Sequence, residues 1–253
     1  MASIPANPNL TGCARRLLHS RLHRCGLCAT LTKMPVIWAL SAGLLHMIKP
    51  RTRIQARNSS AILQAALDVF STHGFRGATL DQIADVAGLS KPNLLYYFPS
   101  KEAVHTALLS QLLHTWLDPL RAMNPAGDPV TEVMGYIRRK LQLSQDFPRE
   151  SRLFANEILQ GAPRMRAAIE GDLKTLVDEK ATVLTLWMDQ GKIARMHPVH
   201  LLFSIWALTQ HYADFDVQVC AVLGPGQDPF AGASEFLETM FGKLLAPDAP
   251  AAR

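Results

Sequence analysis

Apolar residues recur every three or four positions along most of the chain after residue 58, which is the periodicity of α-helices. Cap and turn signals divide this pattern into nine predicted helices, and no stretch of useful length alternates as a β-strand would. After three helices between residues 58 and 100, helices are expected over about 100–123, 130–146, 153–160, 164–190, 198–222 and from the next loop to about 245. The pattern therefore predicts an all-α fold.

The stretch TLDQIADVAGLSKPNLLYYFPSK, which begins at Thr79, has the features of two short helices joined by a tight turn. Thr79 and Gln82 have the spacing of a capping box at the start of the first helix. Gly88 lies where that helix must turn, Ser90 caps the second helix, and Pro92 falls in its first turn. This succession of signals predicts a helix-turn-helix.

The second helix of the pair has a polar outer face. Lys91, Asn93 and Tyr96 are expected to face outward, while Leu94 and Tyr97 point back to the core. A cation, an amide and a phenol near a helix N-terminus supply the donors that phosphates and base edges in a DNA major groove require. The alternative is an ordinary helical hairpin with solvated polar residues, and the agreement of caps, glycine and apolar positions favours DNA binding.

The stretch FSTHGFRGATLDQIADVAGLSKPNLLYYFPSKEAV resembles the N-terminal DNA-binding domain of the TetR family of one-component repressors. The resemblance implies that the second helix of the motif recognises DNA and that Lys101, which opens the next helix, holds a phosphate. The predicted DNA-binding residues are Thr79, Lys91, Pro92, Asn93, Tyr96, Tyr97 and Lys101. The implied fold is an N-terminal three-helix helix-turn-helix domain followed by a C-terminal helical domain that binds a ligand and dimerises.

Further segments extend the resemblance, within this family, to repressors of pyrimidine utilisation. They include SRLFANEILQGAP, GDLKTLVDEK and IWALTQHYADF, and the resemblance runs from about residue 57 to the C-terminus. It implies a cytoplasmic homodimer without a cofactor, released from a pseudo-palindromic DNA operator by uracil or thymine, that controls pyrimidine and nitrogen metabolism. Pro92 and the segment VLGPGQDPFAGASEF depart from the pattern of these repressors, which leaves operator preference, dimer contacts and the ligand open to change.

Composition and motifs divide the chain into four parts. Residues 1–57 form a basic leader, 58–101 the helix-turn-helix domain, 102–246 the ligand-binding and dimerisation domain, and 247–253 a tail. The leader holds nine Lys and Arg and no acidic residue, whereas residues 58–253 hold 17 basic against 21 acidic residues, a net charge of −4. The DNA affinity of the helical part must therefore come from the local placement of cations.

The leader lacks a sustained hydrophobic period and is expected to be disordered or an extension of the gene model, with the true start at Met47 or Met34. Its apolar run MPVIWALSAGLLHM is too short to span a bilayer. A signal peptide would export a DNA-binding domain, and an organelle transit peptide does not match the bacterial character of the remainder. A basic arm that includes Arg53 and Arg57 is expected either to reach an adjacent minor groove or to be a solvated tail.

Cysteine usage indicates a reducing compartment. Three of the four cysteines lie in the leader, and Cys220 is alone in the helical part. Cys25 and Cys28 have histidines nearby but no second ligand pair at zinc-finger spacing, so coincidence is favoured over a metal site.

The predicted helix over residues 198–222 is apolar almost all round, as expected of a helix buried on every side. Its polar groups at Gln210, His211 and Asp214 would each need a partner. Trp206 and Gln210 share one side of the helix, where stacking and amide pairing would recognise the pyrimidine that the resemblance implies. The predicted ligand-binding residues, with one tryptophan taken from the resemblance, are Trp116, Trp206, Gln210, His211, Tyr212 and Asp214. The alternative is that these aromatic residues belong to the core or a dimer interface.

The sequence does not predict an enzyme. The helical part contains no HExxH motif, Gly-rich phosphate loop, GxSxG elbow or metal-spaced His and Cys cluster. Two alternatives to a pyrimidine-responsive repressor remain open. One is a TetR-type regulator that senses a different small molecule, and the other is a ligand-independent DNA-binding architectural protein.

Overall fold

The structure is a computed structural model, and it describes residues 52–247. The candidate start codons, the Cys25 and Cys28 pair, the tail beyond residue 247 and most of the basic leader lie outside the described residues. Within the described range every regular element is helical, which confirms the all-α prediction. No helix of this range is long and apolar enough to cross a membrane.

Ten helices make up the described part of the chain, because two segments are joined end to end by a π-helical turn. They are α1 (Arg53–Gly77), α2 (Leu80–Ala87), α3 (Lys91–Tyr97), α4 (Lys101–Arg121), α5 (Pro129–Asp146), α6 (Pro148–Leu159), α7 (Arg166–Ala168), the π turn (Ile169–Leu173), α8 (Lys174–Asp189), α9 (Pro198–Asp214), α10 (Asp216–Leu223) and α11 (Ala233–Leu245).

The first helix begins upstream of the predicted domain boundary at residue 58. Thr52 caps α1 and forms a capping box with Gln55, so Arg53 and Arg57 belong to a helix and not to a free arm. The helix bends near its end at Gly74, whose φ of 66° is readily adopted only by glycine. The bend brings the last turn of α1 against the start of α4.

The helix-turn-helix forms as predicted. Thr79 and Gln82 make both bonds of the capping box that opens α2. Gly88 ends α2 in the left-handed conformation with φ 67°, and Ser90 caps α3 by accepting a hydrogen bond from the backbone of Asn93. Three helices pack around a shared apolar centre that includes the fully buried side chains of Ile62, Phe70, Ile83 and Leu94.

Helix α4 links this domain to the C-terminal helices. Its apolar side is buried at both ends, by Val104 next to the helix-turn-helix and by Leu120 among the C-terminal helices. In the C-terminal part α5 packs along α9, α11 and α4, and α6 packs against both α9 and α1. Helix α6 therefore contacts both domains.

Two predicted helix bounds were wrong. The helix expected over 198–222 breaks at Phe215 into α9 and α10, where the guanidinium of Arg152 bonds to the carbonyl of Ala213 and to the carboxylate of Asp216. The short helix expected over 153–160 begins earlier, because Pro148 occupies its first turn, where a missing N–H costs nothing. The break adds a tenth helix to the nine predicted.

Candidate DNA interface and effector cavity

Helix α3 presents the predicted polar face to solvent. Lys91, Pro92, Asn93 and Tyr96 are all exposed, and Tyr96 is 71 % exposed. The ammonium of Lys91 donates to the carboxylate of Asp81 on α2 at 2.9 Å. This half-exposed pair stabilises little by itself, but it holds the amine at the start of α3.

The two tyrosines at the end of α3 contact the first turns of α1. The Tyr96 hydroxyl accepts a hydrogen bond from the Gln55 amide at 3.3 Å, and the Tyr97 hydroxyl accepts one from the Asn58 amide at 2.9 Å. Their rings meet edge to face, with centroids 5.2 Å apart. The N-terminal turns of α1 therefore belong to the same surface as α3, although the sequence pattern had placed them in a leader.

Lys101 has a structural role in addition to the predicted phosphate contact. Its ammonium donates to the carbonyls of Phe75 and Ala78, at 2.8 and 2.7 Å, and lies 4.7 Å from the centroid of the Phe75 ring. A cation at the C-terminal end of α1 satisfies carbonyls that have no partner within the helix. Lys101 thus connects α1 to α4, and its contact with a phosphate stays a prediction.

A small cavity lies between α4, α5, α6, the π turn and α9. Its volume is about 70 Å³, and its walls are mostly apolar. The residues that line it are Leu113, Trp116, Leu117, Lys140, Phe154, Leu173, Trp206 and Gln210. Three of the six predicted ligand residues, Trp116, Trp206 and Gln210, are therefore brought together around one space.

Of the polar groups that border the cavity, the Trp206 indole is held by a hydrogen bond and the Gln210 amide is not. The indole N–H of Trp206 donates to the hydroxyl of Tyr136 at 2.6 Å, which holds the ring at the wall of the cavity. The side chain of Gln210 has no hydrogen-bond partner among the described residues. Burial raises the pKa of Tyr136, which keeps its hydroxyl neutral.

Lys140 is the polar residue of this cavity that the sequence pattern missed. Its side chain is only 3 % exposed, its ammonium lies 4.5 Å from the centroid of the Trp116 ring, and it has no hydrogen-bond acceptor within the described range. Burial lowers its pKa to about 8, against the opposing effect of the Asp214 carboxylate. A signal was present in the sequence, because Lys140 follows Tyr136 by one helical turn on the apolar side of α5.

A wider groove continues outward from the cavity. It has a volume of about 490 Å³ and shares Phe154, Leu173, Trp206 and Gln210 with the inner space. Asp214 borders this groove and accepts a short hydrogen bond from the hydroxyl of Ser151. Burial raises the pKa of Asp214, although Ser151 and nearby cations oppose the shift.

The remaining two predicted ligand residues do not border either space. His211 is exposed and stacks on Phe215, with ring centroids 5.1 Å apart, contrary to the expectation that it is buried. Tyr212 packs against Phe230 at 5.7 Å. Both lie on other sides of α9 because successive helical residues are about 100° apart around the axis. Among the described residues no group of three or more His, Cys, Asp or Glu could hold a metal ion.

Comparison with known proteins agrees with this geometry. Residues 62–108 match the family described as bacterial regulatory proteins, tetR family, and residues 109–248 match the family described as YcdC-like protein, C-terminal region. The chain is 50 % identical to the HTH-type transcriptional regulator RutR of Escherichia coli over 185 residues, which is 73 % of this chain and 87 % of RutR. These relatives are transcriptional regulators and not enzymes.

Two solved structures share the fold. A transcriptional regulator from Streptomyces coelicolor superposes with a TM-score of 0.58 at 25 % identity, over 74 % of this chain and 98 % of that one. AibR in complex with isovaleryl coenzyme A and operator DNA superposes with a TM-score of 0.59 at 19 % identity, over 75 % of this chain and 99 % of AibR. The two family matches and the extended similarity to RutR together show that this chain is a helix-turn-helix transcriptional regulator of the TetR family.

Proposed function

We propose that this regulator is a dimeric repressor that leaves its operator when a pyrimidine, uracil or thymine, occupies the space between Trp116 and Trp206. The observation that carries the proposal is the convergence of two polar groups, the Gln210 amide and the Lys140 ammonium, on one cavity bordered by two indoles. Neither group has a hydrogen-bond partner among the described residues. A buried polar group without a partner is costly, so a ligand that supplies the partner is favoured.

The chemistry of a pyrimidine complements these groups. Its ring carbonyls would accept from the ammonium of Lys140, which is mostly protonated at pH 7 because its pKa is about 8. The amide of Gln210 can pair with a ring N–H and a neighbouring carbonyl at the same time. The flat ring matches the indole faces of Trp116 and Trp206, where offset stacking is favourable.

The size of the cavity sets a condition on binding. At about 70 Å³ it is far smaller than a typical ligand pocket of roughly 300–1,000 Å³. The adjoining groove of about 490 Å³ shares four wall residues with it. We infer that a ligand enters through the groove and that the side chains at the junction, chiefly Phe154, move to join the two spaces.

An exposed apolar surface supports the dimer. Phe203, Phe215 and Phe236 on and beside α9 and α11 are 48 %, 52 % and 57 % exposed in the single chain. Large aromatic side chains that are half exposed in a single chain are candidates for burial against a second copy. A second copy packed on the same surface would place two α3 helices about one DNA turn apart.

Helix α4 supplies a route from ligand to DNA. It begins at Lys101, which is tied to the end of α1, and carries Trp116 into the cavity four turns later. A ligand that binds better when α4 is displaced would change the distance between the two α3 helices and release the operator.

The test is thermal unfolding of the protein with uracil, thymine and a purine, in the parent chain and in Trp206→Ala and Gln210→Ala. A ligand at about 100-fold excess over its dissociation constant stabilises by about 2.7 kcal/mol, or several degrees. We expect this shift with a pyrimidine and not with the purine, and we expect both substitutions to abolish it. Gln142→Ala is the matched control, since Gln142 is an exposed amide on α5 that borders neither space.

The same protein should then be tested on DNA. An operator would first be selected from random DNA duplexes, and its complex with the protein would then be followed by fluorescence anisotropy. We expect the protein to dissociate from this operator when the stabilising pyrimidine is added. Stabilisation without loss of DNA binding would contradict release by the ligand. Absence of any shift with either pyrimidine would contradict the effector assignment and leave the DNA-binding activity intact.

One observation favours a second candidate effector. The outer groove is lined by exposed apolar side chains, among them Ile158, Leu159 and Phe215. A larger and more apolar molecule would cover these residues, whereas a pyrimidine held in the inner cavity would not. In that case the chain is a TetR-type regulator of a different small molecule, and Leu159→Ser would weaken binding while leaving any response to pyrimidine unchanged.

A further inference from the structure

A second and larger cleft lies at the junction of the two domains. It has a volume of about 660 Å³, within the range of sites for small organic ligands. The end of α1 forms one wall, from Phe70 to Phe75, and α6 forms the other, from Arg149 to Gln160. His105 of α4 also lines the cleft. None of these residues lines the inner effector cavity.

The α6 wall carries an excess of hydrogen-bond donors. The guanidinium of Arg149 uses only one nitrogen, at 2.8 Å from Asp68 of α1, and that of Arg152 uses only one nitrogen for Ala213 and Asp216. The other guanidinium nitrogens of both arginines have no partner among the described residues. Two side-chain amides on the same wall are also without partners in that range, those of Asn156 and Gln160.

Negative charge in the cleft wall is already neutralised. Within the described residues the wall contains one carboxylate, that of Glu157, which is 3 % exposed. It accepts from the backbone and the guanidinium of Arg164 at 2.8 and 3.0 Å. Asp68 and Asp216, which lie outside the cleft lining, each occupy one nitrogen of Arg149 or Arg152. Within the described residues no carboxylate binds the remaining nitrogens of these two guanidinium groups, and an anion is the ligand that would engage them.

A buried imidazole points to the same conclusion. His105 is 3 % exposed, and its Nδ1 atom has no hydrogen-bond partner within residues 52–247. The rings of Phe70 and Phe75 flank it, with centroids at 4.7 and 4.9 Å. Burial, reinforced by the positive charge of Arg164, lowers its pKa to about 4, so the ring is neutral at pH 7 and can present an N–H or a lone pair.

We propose that this junction cleft binds a small organic oxyanion, a carboxylate or a phosphate ester, through Arg149, Arg152 and the amides of α6. The apolar floor of Phe70 and Phe75 carries the carbon part of the ligand, and the donors hold its charged end. The anion competes with Asp68 for the guanidinium of Arg149. The ion pair between Arg149 and Asp68 joins α6 to α1 in the described structure. Its binding therefore loosens the contact between the DNA-binding domain and the C-terminal domain.

The experiment is isothermal titration of the full chain with succinate, glycerol phosphate and inorganic phosphate, in a buffer without other polyvalent anions. We expect saturable binding of succinate or of glycerol phosphate, with a dissociation constant below about 1 mM. The preferred probe distinguishes a carboxylate site from a phosphate site. Binding of inorganic phosphate alone, or heat that does not saturate by about 10 mM, would refute an organic oxyanion site.

Three variants locate the site. Arg149→Gln removes the guanidinium nitrogens that would donate to the oxyanion and should weaken oxyanion binding at least about tenfold. Asp68→Asn breaks the same ion pair but frees the arginine, so binding should be retained or become tighter. Arg195→Gln is the matched control for charge, because Arg195 pairs with Asp189 on the surface and lines neither space. Equal weakening in the first two variants, or a loss in the third as large as in Arg149→Gln, would overturn the assignment.

The oxyanion proposal and the pyrimidine proposal can fail separately. Gln160→Ala provides a second exposed position in the cleft wall, should Arg149→Gln unfold, and it should also weaken the oxyanion. Neither residue borders the inner cavity, so the thermal shift with pyrimidine is expected to be unchanged in both variants. Operator affinity should fall when the preferred oxyanion saturates the parent chain and should not respond in Arg149→Gln.

Discussion

Replacing Lys140 by methionine should stabilise the protein at pH 7 and abolish its response to pyrimidine. The lysine is 3 % exposed, and within the described residues its ammonium has only the face of the Trp116 ring and the distant charge of Asp214 as partners. Methionine has a similar length and fills the same space without a charge. The substitution therefore separates the cost of burying the cation from the packing of its stem.

The size of the expected stabilisation follows from the lowered pKa of Lys140. The change from 10.5 in the unfolded chain to about 8 in the folded protein corresponds to a cost of about 3 kcal/mol at neutral pH, at about 1.4 kcal/mol per pKa unit. Loss of the cation–π contact with Trp116 offsets about 0.5–2 kcal/mol of the gain. Lys140→Met should thus raise the free energy of unfolding by about 1–2.5 kcal/mol.

The pH dependence of the stability difference between the parent and Lys140→Met tests the direction of this effect separately. Below about pH 8 the folded and unfolded forms of the parent both hold the proton, so the full cost is present. Between pH 8 and 10.5 the unfolded chain binds a proton that the folded protein has released, so the stability of the parent rises relative to the variant. Urea unfolding at pH 7 and pH 9.5 should therefore show a large difference at the lower pH and a smaller one at the higher pH.

Lys180→Met is the matched control. Lys180 is a second buried lysine, 8 % exposed, whose ammonium donates to the carbonyls of Arg121 and Met123 at 3.1 and 3.0 Å. Its removal leaves these carbonyls unsatisfied and should destabilise the protein by about 1–3 kcal/mol without affecting the pyrimidine response. Equal destabilisation by Lys140→Met and Lys180→Met, with no dependence on pH, would refute the argument that Lys140 is held for a ligand.

Three further substitutions test the DNA-binding domain. Lys91→Gln should weaken operator binding and reduce its salt dependence by about one counterion, with unfolding nearly unchanged because the Asp81 pair is half-exposed; anisotropy at several salt concentrations would measure this. Lys101→Met should lower the unfolding temperature by several degrees, since two carbonyls at the end of α1 lose their donor; an unchanged melt would contradict it. Gly88→Ala should cost about 1–2 kcal/mol in urea unfolding, because φ is 67° there, and Asp85→Ala on the same helix should cost less.

The local structure of the DNA-binding domain was predictable because its signals lie within four residues of one another. The capping box of Thr79 and Gln82, the turn at Gly88 and the cap at Ser90 all formed as expected. Each of these features is decided by backbone geometry and by a side chain one turn away. Long-range packing did not have to be known.

The features that the sequence did not predict depend on contacts between distant segments. The break at Phe215 rests on Arg152, more than 60 positions earlier, which binds both sides of the break. Lys140 shares a cavity with Trp206 only because α5 packs along α9. His211 was expected to be buried because an apolar helix suggests burial on all sides, but one side of α9 is left uncovered in the single chain.

The two binding spaces meet at helix α6, and this shared wall has a thermodynamic consequence. Arg152 and Asn156 border both the junction cleft and the groove that leads to the effector cavity. Any shift of α6 that favours one ligand must therefore change the space open to the other. If a pyrimidine alters the affinity for an oxyanion by a given factor, the oxyanion must alter the affinity for the pyrimidine by the same factor. A tenfold factor in each direction would correspond to about 1.4 kcal/mol of coupling, whereas a factor of one for both ligands would show that α6 does not couple the two spaces.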